Sequence, residues 1–311
     1  MTSRYNLDQL FTAYAAKDRL ALSRLITMIE NYSAEYELLI ERLHGFLHNT
    51  PRIGITGPPG VGKSTLVNEI AQELRKEEKT VGVIAIDPSS PFTGGALLGD
   101  RIRMNRISLD PGVYIRSLAT RGSLGGLALA TDDVADLMDG FGCDLILIET
   151  VGVGQVELDI VKTADTTMVV FSPESGDSIQ AMKAGLMEIG DIFILNKSDR
   201  EGADRAYIEI ETTLMHKPDG NWKPPVIKTS VLTREGLTEL NQAISKHQEF
   251  LFTEDRIKVK QQARRQCKIK QMIETSILNE YWNEERQSQL AELSLQDISV
   301  VQAAKILMSL N

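Results

Sequence analysis

Arg52-Ile53-Gly54-Ile55-Thr56, followed by Gly57-Pro58-Pro59-Gly60-Val61-Gly62-Lys63-Ser64-Thr65, decides how this chain is read. The opening run is short, apolar and strand-like. The stretch from Gly57 to Ser64 fits G-x-x-x-x-G-K-[ST], and Thr65-Leu66-Val67-Asn68-Glu69-Ile70 continues in helix-compatible fashion. Strand, glycine-rich loop and helix in that order make a phosphate cradle. The glycines let backbone N–H groups converge on an anion, and the helix N-terminus adds the positive end of its dipole. Lys63 is expected to bring its charge to the outer phosphates, and Ser64 its hydroxyl to Mg²⁺. The nucleotide-binding loop is therefore read as Gly57, Pro58, Pro59, Gly60, Val61, Gly62, Lys63, Ser64 and Thr65.

Further along, Asn196-Lys197-Ser198-Asp199 ends an apolar run, Asp191–Leu195. Asp199 can accept from both the N1–H and the exocyclic amine of guanine. Adenine lacks that pair of donors, so ATP would leave the carboxylate unsatisfied. Asn196 is expected to tie the base loop to the phosphate loop, and the stem of Lys197 to cover a base face. Ser230-Val231-Leu232 follows the strand candidate Val226–Thr229 and is placed to close over the base with backbone groups.

Acids at the ends of other strand candidates suit Mg²⁺, which prefers hard oxygen ligands. Glu149 ends Leu145–Glu149 and is followed by Thr150-Val151-Gly152, where P-loop GTPases place an acid near the metal and a glycine near the γ-phosphate. Asp87 ends Val81–Asp87, and Asp100 closes the glycine-rich stretch Gly94–Asp100. The expected metal set is Ser64, Asp87, Asp100 and Glu149; the expected catalytic set is Lys63, Asp87, Asp100 and Glu149. A loop ordered by the γ-phosphate and released on hydrolysis would act as a switch. Gln155 is spaced unlike the water-orienting glutamine of small GTPases, while Arg101, Arg103, Arg106 and Arg121 are candidates for stabilising the transition state. Slow hydrolysis, accelerated by a partner, is the expectation.

Outward from these motifs the chain divides into three. Residues 1–49 carry apolar positions at helical spacing, with Asp18 and Ser33 as candidate N-caps. Residues 50–250 alternate strand and helix patterns, and several strands are apolar on both faces: an α/β domain with a mainly parallel sheet. The strand candidates are those above together with Val113–Arg116 and Thr167–Phe171. Residues 251–311 return to helical periodicity. The run from Arg256 to Lys270 holds seven Lys or Arg and no acid, and reads as a solvated helix face or as an arm that packs on a partner subunit.

Composition narrows the classes. The 311 residues are 42% hydrophobic, enough for a filled core, and the net charge of −9 argues against a general nucleic-acid binder. Cys143 and Cys267 form neither a disulfide framework nor a metal spacing. No apolar run approaches a membrane span, and the first residues resemble neither a secretory signal nor a transit peptide, so a cytoplasmic protein is expected.

The segments between the motifs are more particular. Ala85-Ile86-Asp87-Pro88-Ser89-Ser90-Pro91-Phe92-Thr93-Gly94-Gly95, Leu98-Gly99-Asp100-Arg101-Ile102-Arg103-Met104, Arg116–Leu127 and Ile148–Gln155 resemble the methylmalonyl-CoA mutase-associated GTPases of the MeaB, ArgK and MMAA type. The resemblance spans about residues 50–240. It implies a homodimeric GTPase, with the C-terminal helices as dimerisation arm. Such a protein gates cofactor loading and protects an adenosylcobalamin-dependent acyl-CoA mutase. It also implies that Gly176–Lys183 senses the mutase. Val231 stands where the family usually has Ala. Two other readings stay open. A metal-insertion GTPase of the nickel-chaperone type would need His or Cys ligands; His44 and His48, at i, i+4, would share a helix face. A transport-linked kinase would need an acceptor pocket.

Overall fold

The apolar runs named above pair side by side into one parallel sheet. The computed structural model describes residues 6–87, 107–119, 124–150, 156–174, 185–216 and 221–309. Its strands are β1 (Arg52–Thr56), β2 (Val81–Asp87), β3 (Val113–Ala119), β4 (Leu145–Glu149), β5 (Thr166–Phe171), β6 (Ile192–Asn196) and β7 (Val226–Thr229). They lie in the order β3-β2-β4-β1-β5-β6-β7, every pair parallel. Before the sheet come α1 (Leu7–Ala15), α2 (Arg19–Glu30) and α3 (Tyr36–Leu43). Between its strands come α4 (Lys63–Lys76), α5 (Leu124–Gly140), α6 (Val156–Thr163), α7 (Leu186–Ile189) and α8 (Ala203–Met215), and α9 (Leu237–Phe252) follows the last strand. After it come α10 (Arg256–Tyr281), α11 (Glu284–Leu293) and α12 (Val300–Ser309).

Side chains alternate between two filled layers, which is why the strands read as apolar on both faces. Ile53 and Ile55, Val81 and Val83, Leu145 and Leu147, and Met168 and Val170 meet Leu66, Val67 and Ile70 of α4 and Leu240 and Ile244 of α9. On the other face Ile84, Ile86, Ile146 and Ile148 meet α5, and α1 to α3 pack onto the same cluster. Tyr14 is fully buried there and donates its hydroxyl to the Leu137 carbonyl at 2.6 Å.

Asp18 caps α2 as expected, its carboxylate accepting from the N–H groups of Leu20 and Ala21. Ser33 is not a cap. The chain turns at Tyr32 with φ of 44°, and the Ser33 carbonyl, not its hydroxyl, accepts from Tyr36 N–H at 2.9 Å before α3 begins. Nor do His44 and His48 share a helix face. The α-helix stops at Leu43, His44–Phe46 is a 3-10 turn, and His48 N–H donates to Asp139. Asp139 also accepts from Asn49 and Thr50, and this sets the entry to β1.

Beneath β1 lies a charged cluster. Arg52, 3% exposed, pairs with Asp132 at 2.6 Å and with Asp136. Burial alone would lower its pKa, yet Asp136, Asp132 and Asp165 together hold the guanidinium above its ordinary value. Asp165 in turn accepts from Arg52 N–H at 2.9 Å and pairs with Arg264 at 2.8 Å, and Lys260 donates to the Asp165 carbonyl at 2.6 Å. Part of the basic run is therefore an anchor to the starts of the strands and not a solvated face.

The chain divides into two compact units, Met1–Arg264 and Arg265–Asn311. The second is helical, with Leu293 and Leu307 buried and Asn283 capping α11. Among the described residues no helix is long and apolar enough to cross a membrane.

Candidate functional site

In a parallel sheet the C-terminal strand ends face one rim, where ligands of open α/β folds sit. Four expected elements meet at this rim: the loop after β1, Glu149 at the end of β4, Asn196 at the end of β6 and Ser230 after β7.

The loop leaves β1 at Gly57, whose φ is 138°. A Cβ there would lie 2.2 Å from the Val170 carbonyl oxygen, so only glycine lets the loop turn against β5. Gly62 (φ 96°) opens α4, and a Cβ on it would strike Asn196 Nδ2 at 2.4 Å. Lys63, 6% exposed, curls back over the loop and donates to the carbonyls of Gly57 (2.7 Å) and Pro58 (2.9 Å). Its ammonium thus stands inside the ring of backbone that a phosphate would enter.

Ser64 donates its hydroxyl to Glu149 Oε1 at 2.6 Å, and Glu149 is buried. This brings two of the expected metal ligands together, both hard oxygens. Among the described residues no group of three His, Cys, Asp or Glu forms a metal cage. A hydroxyl and one carboxylate suit Mg²⁺, which takes the rest of its shell from phosphate and water. Asp87 ends β2 opposite Ala119 of β3, and its side chain lies outside the described residues. So do Asp100, the arginines 101, 103, 106 and 121, the stretch 151–155 with Gln155, and 176–183.

At the base end, Asn196 Nδ2 donates to the Val61 carbonyl at 2.8 Å, and Asn196 Oδ1 accepts from Thr229 at 3.1 Å. Lys197, with φ of 57°, donates to the Gly60 carbonyl at 2.8 Å. Asp199 Oδ1 accepts from the Ser230 hydroxyl at 2.6 Å. The tetrad is therefore hydrogen-bonded directly to the phosphate loop and to the turn after β7. Val231 is half-buried against the core, whereas the Leu232 side chain is exposed. Two partners were not named from the sequence: Glu174 after β5, which pairs with Lys197 at 3.5 Å and with Arg200; and Arg234, which reaches α4. The signal for Glu174 was available, because parallel neighbours end side by side and β5 borders β6.

Residues 22–286 match the family described as methylmalonyl-CoA mutase-associated GTPase MeaB. The chain belongs to the MeaB family. A GTPase-named protein of Pyrococcus abyssi is 52% identical over 271 residues, spanning 86% of this chain and 84% of its own length. The GTPase ArgK of Escherichia coli is 32% identical over 274 residues, spanning 84% of this chain and 82% of its own length. The mouse protein named methylmalonic aciduria type A homolog, mitochondrial, is 33% identical over 294 residues, spanning 88% and 71%. A solved structure described as LAO/AO transport system kinase superposes with a TM-score of 0.71 at 24% identity, covering 99% of this chain and 98% of its own, and speaks for the fold alone. As a MeaB-family protein the chain is a P-loop GTPase that binds guanine nucleotide.

Proposed function

We propose that the rim of β1, β4, β6 and β7 is a Mg²⁺-dependent GTPase site serving as a chaperone for an adenosylcobalamin-dependent acyl-CoA mutase. The observation that carries the site is the hydrogen bond from Asn196 to Val61, since it joins the guanine-selecting tetrad to the phosphate loop. Loop N–H groups and Lys63 hold the β- and γ-phosphates. Ser64 and Glu149 would hold Mg²⁺, which when bound offsets the charge of the phosphates. Asp87 and Asp100 complete the proposed catalytic and metal set. Asp199 selects guanine, and the turn at Ser230, Val231 and Leu232 covers it. Phosphoryl transfer to water asks for positioning and charge more than for a strong base, so these groups suffice for slow hydrolysis.

Asp199→Asn tests the base assignment. The amide presents a donor where guanine also donates, and xanthine offers an acceptor there instead. GTP affinity is expected to fall by about 100-fold or more while xanthosine triphosphate gains. Unchanged selectivity in competition binding would remove Asp199 from the site.

The partner rests on kinship: the family description names a mutase, and the mouse relative's name refers to methylmalonic aciduria. Homodimerisation through the C-terminal unit finds support in Ile269, Ile273 and Ile277, exposed at four-residue spacing along α10. Mixed with an adenosylcobalamin-dependent acyl-CoA mutase, the chain is expected to elute as a dimer in complex, with its GTPase rate raised, by about 1,000-fold or more if the partner supplies an arginine to the transition state. No complex and no change in rate would refute the chaperone reading and leave the GTPase standing.

A further inference from the structure

Arg234 lies in the turn after β7 with a left-handed backbone, φ 61°. That conformation is costly for a residue with a Cβ, and glycine would relieve it. Strain kept at a residue near a site calls for a reason in its side chain. The turn is closed by Ser230 N–H donating to the Glu235 carbonyl (3.1 Å) and by Thr233 N–H donating to Ser230 Oγ (3.2 Å). That Oγ is the hydroxyl that donates to Asp199. From this turn the Arg234 guanidinium reaches across to α4, the helix that begins with Lys63. It donates to Glu73 at 2.9 Å and faces Glu69 at 3.5 Å.

Glu69 is the telling partner. Its side chain is 9% exposed, and its Oε2 has no hydrogen bond among the described residues. A buried carboxylate in that position needs a cation close by, and Arg234 supplies it. The same arginine borders an open polar groove of about 570 Å³ between α4 and α9, lined further by Glu77, Asn241, Lys246 and Glu249, so there is open space beside the turn.

We infer that Arg234 is a positioning residue: it straps the base-covering turn to the phosphate-loop helix and so sets how long a guanine nucleotide stays bound. The inference rests on the nucleotide site proposed above. A nucleotide with its phosphates at the start of α4 and its base beneath the turn leaves only when the two part. The strap resists that parting and touches neither phosphate nor metal ligand.

The test is stopped-flow release of a fluorescent N-methylanthraniloyl GDP from the full chain, chased with excess GDP. Arg234→Gly removes the guanidinium and relaxes the backbone at once, and Arg234→Gln, which keeps a Cβ in the left-handed turn, reports the loss of charge alone and should quicken release in the same direction. Release is expected to quicken about fivefold to tenfold, with the single-turnover hydrolysis rate moving less than twofold. Arg234→Lys should restore part of the residence time. Glu73→Gln should speed release in the native chain and add little in the Arg234→Gly background. Release within twofold of the native rate in Arg234→Gly would overturn the strap. Failure of the native chain to bind the fluorescent GDP would instead overturn the site, and the strap with it.

Discussion

Replacing Lys63 by alanine is expected to lower single-turnover GTP hydrolysis by about 100-fold or more, the cost of removing one preorganised charge from a developing oxyanion. Lys63 is buried and donates to two loop carbonyls, those of Gly57 and Pro58. On the function proposed above, a phosphate entering the ring would offer the ammonium a stronger acceptor at the same place, and Lys63 would neutralise charge that grows on the γ-oxygens as the bond breaks. Alanine leaves the loop glycines and the start of α4 intact, so the backbone donors stay, and some nucleotide affinity with them. The loss should therefore fall mainly on turnover. Single-turnover kinetics at saturating GTP and Mg²⁺, with circular dichroism as a control for folding, decides the matter. A rate within threefold of the native value would mean that the phosphates lie elsewhere.

The second large effect is one of stability and lies at the opposite end of the same strand. Arg52→Met is expected to destabilise the chain by about 3–5 kcal/mol, the cost of leaving buried charge uncompensated. Arg52 is 3% exposed, and the substitution takes the guanidinium away from Asp132 and Asp136, while Asp165 keeps Arg264 and the backbone N–H of residue 52. Methionine fills similar space, so the loss reports charge and not a cavity. Urea unfolding followed by circular dichroism measures it. Neutralising Asp132 and Asp136 as well, each to Asn, should recover much of the stability, because the two carboxylates that faced Arg52 then carry no buried charge. A loss under about 1 kcal/mol for Arg52→Met alone, the size of a surface ion pair, would show that water reaches the cluster.

These two residues also mark what was legible in the sequence. Lys63 belongs to a local pattern: strand, loop and helix follow one another, and each glycine explains itself by its neighbours. The strands were legible for the same reason, since burial on both faces writes a continuous apolar run. Their ends shifted by small amounts. β3 runs on to Ala119, and β6 takes in Asn196, because pairing with β7 extends as far as Thr229. Arg52 was invisible as a buried charge. It reads as the polar start of a strand, and its partners Asp132 and Asp136 lie some eighty residues away on α5, brought near only by the parallel crossover. Lys260 and Arg264 were hidden likewise: a basic helical run has the composition of a solvated face, and only the sheet's topology puts Asp165 beside it. At the site, Asn196 to Val61 could be anticipated from chemistry, whereas Arg234 to Glu69 could not, since nothing local marks a buried glutamate on an amphipathic helix.

The edge of the sheet at β3 carries a last implication. α2 lies along this strand: Arg19 donates to the carbonyls of Pro111 and Val113 and stacks on Tyr114, and Arg116 pairs with Glu30. At the other edge β7 is only four residues long. A parallel sheet left with a bare flank recruits the flank of its neighbour, and the product is a precipitate. The helices ahead of the nucleotide fold are thus a matter of colloidal hygiene as much as of architecture. A minimal GTPase cut out at β1 would lose α2 from beside β3, and it is expected to aggregate more readily than the full chain.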